Sequence, residues 1–277
     1  MVISVASGKG GTGKTTVATA LALSLKYVQF VDCDVEEPNA HIFLKPSIKH
    51  IEEVKVLLPK INYNFCDFCG KCAQFCQYNA IAVLEEQVLI FPELCHHCGG
   101  CKLICPQKAI SEYEITIGRI KKGNSNEIEF FSGELEVARS SPSPVIKQLK
   151  KYISKDLTVI IDSPPGTSCS MVESVEDSDF CILVTEPTPF GLNDLKLAID
   201  VVKKMDIPYG VIINQSDIGD TRVKDFCINN NIEILMEIPY SRDIAEAYSR
   251  GENIIFVYPE YKNKFKEIFE KIRISHR

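Results

Sequence analysis

The chain has 277 residues, 45% hydrophobic and 25% charged, a composition ordinary for a globular protein of one large or two smaller domains. A net charge of −6 argues against non-specific nucleic-acid binding, and no apolar run approaches the ~18 residues a transmembrane helix needs. Residues 1–6 carry no basic n-region or cleavage site, so no signal peptide is expected and the protein is expected in the cytoplasm.

An apolar strand over 2–6 leads into Ser7-Gly8-Lys9-Gly10-Gly11-Thr12-Gly13-Lys14-Thr15-Thr16, and a helical pattern follows over 17–25. Gly8, Gly13, Lys14 and Thr15 satisfy GxxxxGK(S/T) in the strand–loop–helix context that a phosphate-binding loop requires. Glycines let successive backbone N–H groups curl around an anion, and the helix N-terminus adds partial positive charge. Lys14 is expected to reach the β- and γ-phosphates of ATP, and the Thr15 hydroxyl to ligate Mg2+. A second buried strand over 27–31 ends in Asp32-Cys33-Asp34-Val35-Glu36-Glu37-Pro38-Asn39. Acidic residues just past the carboxyl end of a strand stand where an α/β sheet binds its ligands.

Residues 59–110 differ in character and begin at Pro59. Eight of the chain's 12 cysteines fall here, as Cys66-x2-Cys69-x2-Cys72-x3-Cys76 and Cys95-x2-Cys98-x2-Cys101-x3-Cys105-Pro106. The halves repeat every 29 residues, with Gly70 and Gly99 after the second cysteines and Ala80-Ile81 and Ala109-Ile110 at the ends. In a cytosolic chain such spacing indicates metal rather than disulfides. Three closely chained cysteines suit iron–sulfur better than zinc, whose paired CxxC motifs are usually separated by ~15–20 residues. The pattern resembles bacterial two-cluster ferredoxins, in which the fourth cysteine of each run ligates the other cluster. The resemblance implies one 4Fe–4S cluster on Cys66, Cys69, Cys72 and Cys105, and a second on Cys76, Cys95, Cys98 and Cys101. Gln77 departs from the proline usual after the first run. His96 and His97 are expected as neighbours, not ligands.

Beyond the cysteines, strands are expected over 114–120 and 128–131 around a polar turn over 121–126, then a turn over 140–144 and a helix over 145–153. The apolar run 157–161 reads as a central parallel strand ending in Asp162-Ser163-Pro164-Pro165-Gly166-Thr167. An aspartate there is the expected indirect holder of magnesium. Strands over 180–184, 209–213 and 233–238 and a helix over 192–204 complete the alternation, which predicts an α/β fold: a doubly wound, mostly parallel sheet with a small α+β ferredoxin-like insertion. In the closing helix Tyr261, Phe265, Ile268, Phe269 and Ile272 share one face. That face is expected against the core rather than on a membrane, so no stable membrane association is expected.

The loop form KGGxGKT, with Lys9 after Gly8, resembles the MinD/ParA ATPases, which include Mrp-type iron–sulfur carriers and the nitrogenase iron protein. The resemblance covers 1–58 and about 111–277, with 59–110 as the ferredoxin-like insertion. It implies an ATP-dependent homodimer in which Lys9 reaches the partner's nucleotide. It also implies that Asp34 orients the attacking water, with Asp32 near the magnesium shell and Asp162 linked to the metal. Gly166 would sense the γ-phosphate, Asn214 would bind adenine, and Pro239 and Tyr240 would line the base pocket. Of the remaining cysteines, Cys181 and Cys227 are expected buried and Cys33 lies between Asp32 and Asp34. Cys169, seven residues after Asp162, corresponds to a cluster ligand of the nitrogenase iron protein; the competing reading is a small packing residue. Three functions compete: an ATP-gated electron-transfer protein, a carrier or assembly ATPase for iron–sulfur or metal centres, and a positioning ATPase with structural clusters. The first ranks ahead, since the separate CxxC of Mrp-type carriers is missing. The redox or iron–sulfur client is not named by the sequence, and hydrolysis is expected to be slow without it.

Overall fold

The structure, a computed structural model, describes residues 1–137, 139 and 141–275. In chain order its elements are β1 (Val2–Ala6), α1 (Lys14–Ser24), β2 (Val28–Asp32), α2 (Ala40–Leu44), β3 (Ser47–Ile61), α3 (Lys71–Phe75), β4 (Ile81–Val83), β5 (Val88–Ile90), α4 (Gly100–Ile104), β6 (Ile110–Ser125) and β7 (Ile128–Leu135). They continue with α5 (Ser143–Lys150), β8 (Thr158–Asp162), α6 (Cys169–Val175), β9 (Phe180–Thr185), α7 (Pro189–Lys204), β10 (Tyr209–Asn214), α8 (Arg222–Asn229), β11 (Ile234–Ile238), α9 (Arg242–Ser249), α10 (Ile254–Val257) and α11 (Glu260–Ser275).

The main sheet has the order β11-β10-β9-β1-β8-β2-β7-β6-β3. Every neighbouring pair from β11 to β7 is parallel, whereas β7–β6 and β6–β3 pair antiparallel, so β6 runs against the other described strands of the sheet. Alternate residues of the central strands feed opposite faces, as the period of two demands. On β8, Ile160 joins the layer of Leu21 and Phe265, whereas Val159 and Ile161 join that of Ile146 and Leu149. On β9, Ile182 and Val184 likewise face the first layer, and Cys181 and Leu183 face Ile199 and Val211. Parallel strands buried on both faces explain why these segments read as continuous apolar runs. In α11, Tyr261, Phe265, Ile268 and Ile272 are buried in the layer that includes α1, with Phe269 partly buried beside them. The helix spends its apolar face on the core, as expected from its spacing.

Two expectations need correction. Residues 121–125 are strand, not turn: β6 runs to Ser125, and the reversal occurs at Asn126, which takes φ 50°. Its polar residues are paired across the sheet, Lys121 with Glu134 (2.7 Å) and Lys122 with Glu52 (2.7 Å), so polarity here marks cross-strand ion pairs. β3 was not anticipated as a strand. It is an edge strand whose first five residues are exposed, so no alternation announces it. Pro59 lies within it, opposite Glu112, which an edge position permits. Of the turn expected over 140–144, Ser140 lies outside the described residues.

β6 pairs with β7 only from Gly118 to Ser125, whereas its pairing with β3 continues to Ile110 opposite Ile61. The two strands therefore leave the sheet as a ribbon, and the seven residues Lys55–Ile61 at ~3.4 Å each give it a reach of roughly 24 Å. Residues 62–109 form a small lobe on this ribbon, with the short β4–β5 pair (Ile81 opposite Ile90) and helices α3 and α4. Among the described residues no helix is long and apolar enough to cross a membrane.

Candidate functional site: a phosphate-type loop and two cysteine pockets

β1 delivers the glycine loop at the carboxyl edge of the sheet. Gly11 (φ 81°) and Gly13 (φ 88°) take the left-handed conformation, which glycine adopts without strain. Gly13 also has no room for a side chain, since a β-carbon there would stand 2.5 Å from Asn214 Nδ2. That amide donates to the Thr12 carbonyl (3.0 Å), fastening the end of β10 to the loop. Gly8 serves packing: a β-carbon would lie 2.2 Å from the Asp194 carbonyl oxygen on α7.

Register brings Asp32 and Asp162 side by side at the ends of β2 and β8. Lys14 Nζ lies 2.6 Å from Asp162 Oδ1 and 3.8 Å from Asp34 Oδ2, and it donates to Thr15 Oγ1 at 3.4 Å. Burial alone would lower the Lys14 pKa, but Asp162, Asp34 and Asp32 together raise it. Asp32 is fully buried. Burial and the neighbouring Asp162 hold its carboxyl well above the usual range, against Lys14 and the Ala40 N–H that bonds its Oδ2. Burial pushes Asp34 up to about 6, opposed by Lys14. Three carboxylates thus face one ammonium. Asp162 Oδ2 is buried with no hydrogen-bond partner, as is Thr12 Oγ1. An excess of buried anionic oxygens, one orphaned, beside the Thr15 hydroxyl suits a hard divalent cation such as Mg2+.

A cavity of about 430 Å3 opens above this group, lined by Lys9, Gly10, Gly11, Gly13, Lys14, Thr15, Thr16, Asp34, Asn214, Pro239 and Tyr240 among others. Gly8, Thr12 and Gly166 are not among its lining residues. Gly166 (φ 90°) instead donates its N–H to the Ser7 carbonyl (3.0 Å), and the adjacent Pro165 lines the cavity. Asp32 and Asp162 stand behind Lys14. Lys9, expected to reach across a dimer, is paired within its own chain to Glu186 (3.1 Å). Sequence reading missed Gln215 and the α9 wall of Ile244, Ala245 and Tyr248, and within the stretch 32–39 it singled out Asp32 and Asp34 whereas Glu37 and Asn39 line the cavity together with Asp34. The apolar moment of α9 was the available signal, but it marks any packed helix.

The eight clustered cysteines separate into two pockets. Cys66, Cys69, Cys72 and Cys105 line one of about 20 Å3, and Cys76, Cys95, Cys98 and Cys101 line one of about 140 Å3. The fourth cysteine of each run therefore crosses to the other set. The 29-residue repeat is executed in the backbone: Phe68 and His97 take φ 54° and 55°, Gly70 and Gly99 75° and 69°, and Asn79 and Lys108 both 53°. Helices α3 and α4 begin after the two glycines. Ala80 N–H donates to Cys76 Sγ (3.4 Å), Ala109 N–H to Cys105 Sγ (3.3 Å), and His97 N–H to Cys95 Sγ (3.4 Å). Such donors stabilise metal-bound thiolate and are a lever on cluster potential. As free thiols, Cys72, Cys95 and Cys101 are pushed up by burial, Cys101 to about 11, so metal loading must displace protons. Among the described residues no three His, Cys, Asp or Glu converge to hold a single metal ion. Four thiolates around a shared pocket suit the wider span of a cluster. His96 stacks on Tyr78 (centroids 3.5 Å apart), and His97 Nδ1 lies 3.3 Å from the Leu57 carbonyl.

Cys181 and Cys227 are buried as expected, with burial pushing their thiols up to about 12 and 11. Cys33 is buried and its thiol is likewise raised. Cys169 is exposed as the first residue of α6.

Residues 3–254 match the family described as the CobQ/CobB/MinD/ParA nucleotide binding domain. An uncharacterised protein of Methanocaldococcus jannaschii is 32% identical over 99% of this chain and 96% of its own. An iron-sulfur cluster carrier protein of Pyrococcus abyssi is 26% identical over 98% of this chain and 84% of its own. The septum site-determining protein MinD of Pyrococcus horikoshii, solved with Mg-ADP, superposes with a TM-score of 0.58 at 20% identity, over 98% of this chain and 95% of that one.

Proposed function

The chain belongs to the CobQ/CobB/MinD/ParA nucleotide-binding family, and on that premise we propose that it is a P-loop ATPase whose Mg-ATP cycle is coupled to two 4Fe–4S clusters for electron transfer. The observation that carries this reading is the division of eight cysteines into two pockets, four to each, on a ribbon rooted at the nucleotide-binding sheet. In this reading 59–110 is a ferredoxin-like insertion between the two parts of the ATPase, 1–58 and 111–277.

The chain's own groups divide the work as follows. Backbone N–H groups of residues 10–15 cradle the phosphates, and Lys14 turns from Asp162 to the β- and γ-oxygens. Thr15 and Asp162 hold magnesium, with Asp32 behind them. Magnesium, when bound, neutralises charge on the phosphates. Asp34, raised to about 6 and beside the loop, holds the attacking water. Asn214, Pro239 and Tyr240 hold the base. Lys9 leaves Glu186 to complete a partner's site in an ATP-dependent homodimer. In the arm, the two cysteine quartets and their N–H donors hold the clusters, which when bound supply one-electron chemistry.

The deciding experiment is an EPR-monitored redox titration of anaerobically purified protein with and without Mg-ATP. The expected result is two low-potential clusters, at least one of which shifts by about 59 mV, a tenfold change in its reduction equilibrium. Unmoved potentials discard gated electron transfer. The names of relatives such as the Pyrococcus abyssi carrier favour a second reading, ATP-dependent delivery of clusters. Appearance of a cluster on an apo-ferredoxin acceptor, faster with Mg-ATP, would support it instead.

A further inference from the structure

The lobe that carries the cysteines hangs on its ribbon, and its Pro92, Cys95 and His97 share a small pocket with Arg139 and Ser141 just ahead of α5, so both the ribbon's root and the entry to α5 are routes by which nucleotide state could reach it. The loop over 162–167 is bonded to the phosphate-type loop through Gly166 N–H and the Ser7 carbonyl (3.0 Å), and α6 starts just beyond it. The carboxyl end of α6 is held by α5. Lys150 Nζ donates to the carbonyls of Glu173 (2.9 Å) and Glu176 (2.6 Å), and Lys147 pairs with Glu173 (3.4 Å). A cation on the last carbonyls of a helix is a directional cap, and it ties α6 to α5.

At its other side α5, with Tyr152 in the turn just past its end, grips the ribbon. Gln148 Nε2 donates to Glu52 Oε1 (3.1 Å), and the Tyr152 hydroxyl donates to Glu52 Oε2 (2.6 Å). Lys122, on the opposite strand, donates to the same Oε2 (2.7 Å) while lying 3.5 Å over the Tyr152 ring. Glu52 stands opposite Ile120, where the ribbon is still part of the sheet, and these bonds hold its carboxyl down at about 2. Beneath them Val145, Ile146 and Leu149 of α5 are buried with Ile117 and Ile120 of β6. One carboxylate thus joins both strands of the arm to the helix that clasps α6.

We propose that α5 is the coupling rod between the phosphate-sensing loop and the cysteine-bearing arm, with Glu52 as the positioning residue through which it acts. The proposal rests on the nucleotide-coupled reading above, and deepens it by naming the route. Glu52 touches neither nucleotide nor cysteine pocket. Displacement of the loop on γ-phosphate binding carries α6, then α5, then the root of the ribbon, a shear between packed helices relayed to a lever.

The double variant Q148A/Y152F tests it. It cuts the helix from Glu52 but keeps the arm's own Lys122–Glu52 pair and the aromatic ring under Lys122. In cluster-loaded full-length parent, Mg-AMPPNP is expected to change amide exchange in β3, β6 and α5 by about tenfold, and to shift a cluster potential by about 59 mV. The variant is expected to keep its iron content and its Mg-AMPPNP affinity while losing more than half of both responses. K147A/K150A, which removes both cations that hold the end of α6, is expected to do the same and serves if the first variant folds poorly. Parent-sized responses in both variants, or no exchange change in the parent's arm, overturn the proposal. An exchange change in the parent without a potential shift discards the electron-transfer reading and leaves the coupling standing.

Discussion

Beside Lys14, Asp34 is only 8% exposed, and burial pushes its carboxyl up to about 6 although the ammonium opposes it. The sign of the consequence follows from linkage. Between roughly pH 4 and 6 the folded chain holds a proton that the unfolded chain has released, so stability falls as pH rises through that window. Above it the charged carboxylate costs on the order of 2–3 kcal/mol. Asp34→Asn is therefore expected to raise the melting temperature of nucleotide-free protein by several degrees at pH 7.5, with the gain shrinking towards pH 5, while hydrolysis falls about 10²-fold or more. A variant no more stable at pH 7.5 than its parent would mean that Asp34 sits comfortably charged. Loop spacing singled out Lys14 and Thr15, and the place past β2 together with the family resemblance singled out Asp34; all three line the cavity. The α9 wall was not legible, because Ile244, Ala245 and Tyr248 face an open cavity from a helix whose buried residue is Ala247, and neither their types nor their spacing marks them as ligand contacts. Gly8 was legible as a motif position but not in its work: it admits the α7 backbone, with Asp194 O 2.2 Å from where a β-carbon would stand.

Among elements, those buried on two faces or on one clear stripe could be read, and those stabilised by exposed pairing could not. The central strands announce themselves as apolar runs and α11 as a stripe at i, i+4, i+7 and i+11. β3 and the end of β6 are held by backbone pairing and by Lys121–Glu134 and Lys122–Glu52, contacts made between distant parts of the chain. The role of α11 is open to direct test. Phe265 is fully buried in the layer with Leu21 and Ile160, so Phe265→Ala is expected to cost about 3–5 kcal/mol, read as a lowered urea midpoint at unchanged slope. A loss below ~1 kcal/mol would remove the helix from the core and reopen its exposed use.

At the scale of the whole molecule the two parts differ in what holds them. The sheet and its helices bury three extensive apolar clusters. In the lobe of 62–109, by contrast, the buried residues are Ala80, Ile81, Val88, Gly100 and Ala109, while Phe65, Leu84, Leu94 and Leu103 stay largely exposed. So small a core does not offset the conformational entropy of ordering the segment, and domains of this size ordinarily rely on metal or disulfide cross-links. Its eight cysteines form no disulfide. If the two quartets hold clusters as proposed, cluster binding is folding free energy for this lobe and nearly irrelevant to the rest. Anaerobic removal of iron by a chelator is accordingly expected to bring amide exchange within 62–109 close to that of an unfolded chain. Exchange in the central strands β1, β8 and β9, and the affinity for Mg-ADP, should remain as in the loaded protein. Limited proteolysis of the iron-free form should cut first inside the lobe and leave the nucleotide-binding body associated through its sheet. Protection in the lobe that survives iron removal would show that its folding does not depend on metal. Loss of protection in β1 together with the lobe would show instead that arm and sheet fold as one cooperative unit, in which case the ribbon is a structural part of the sheet rather than a lever upon it.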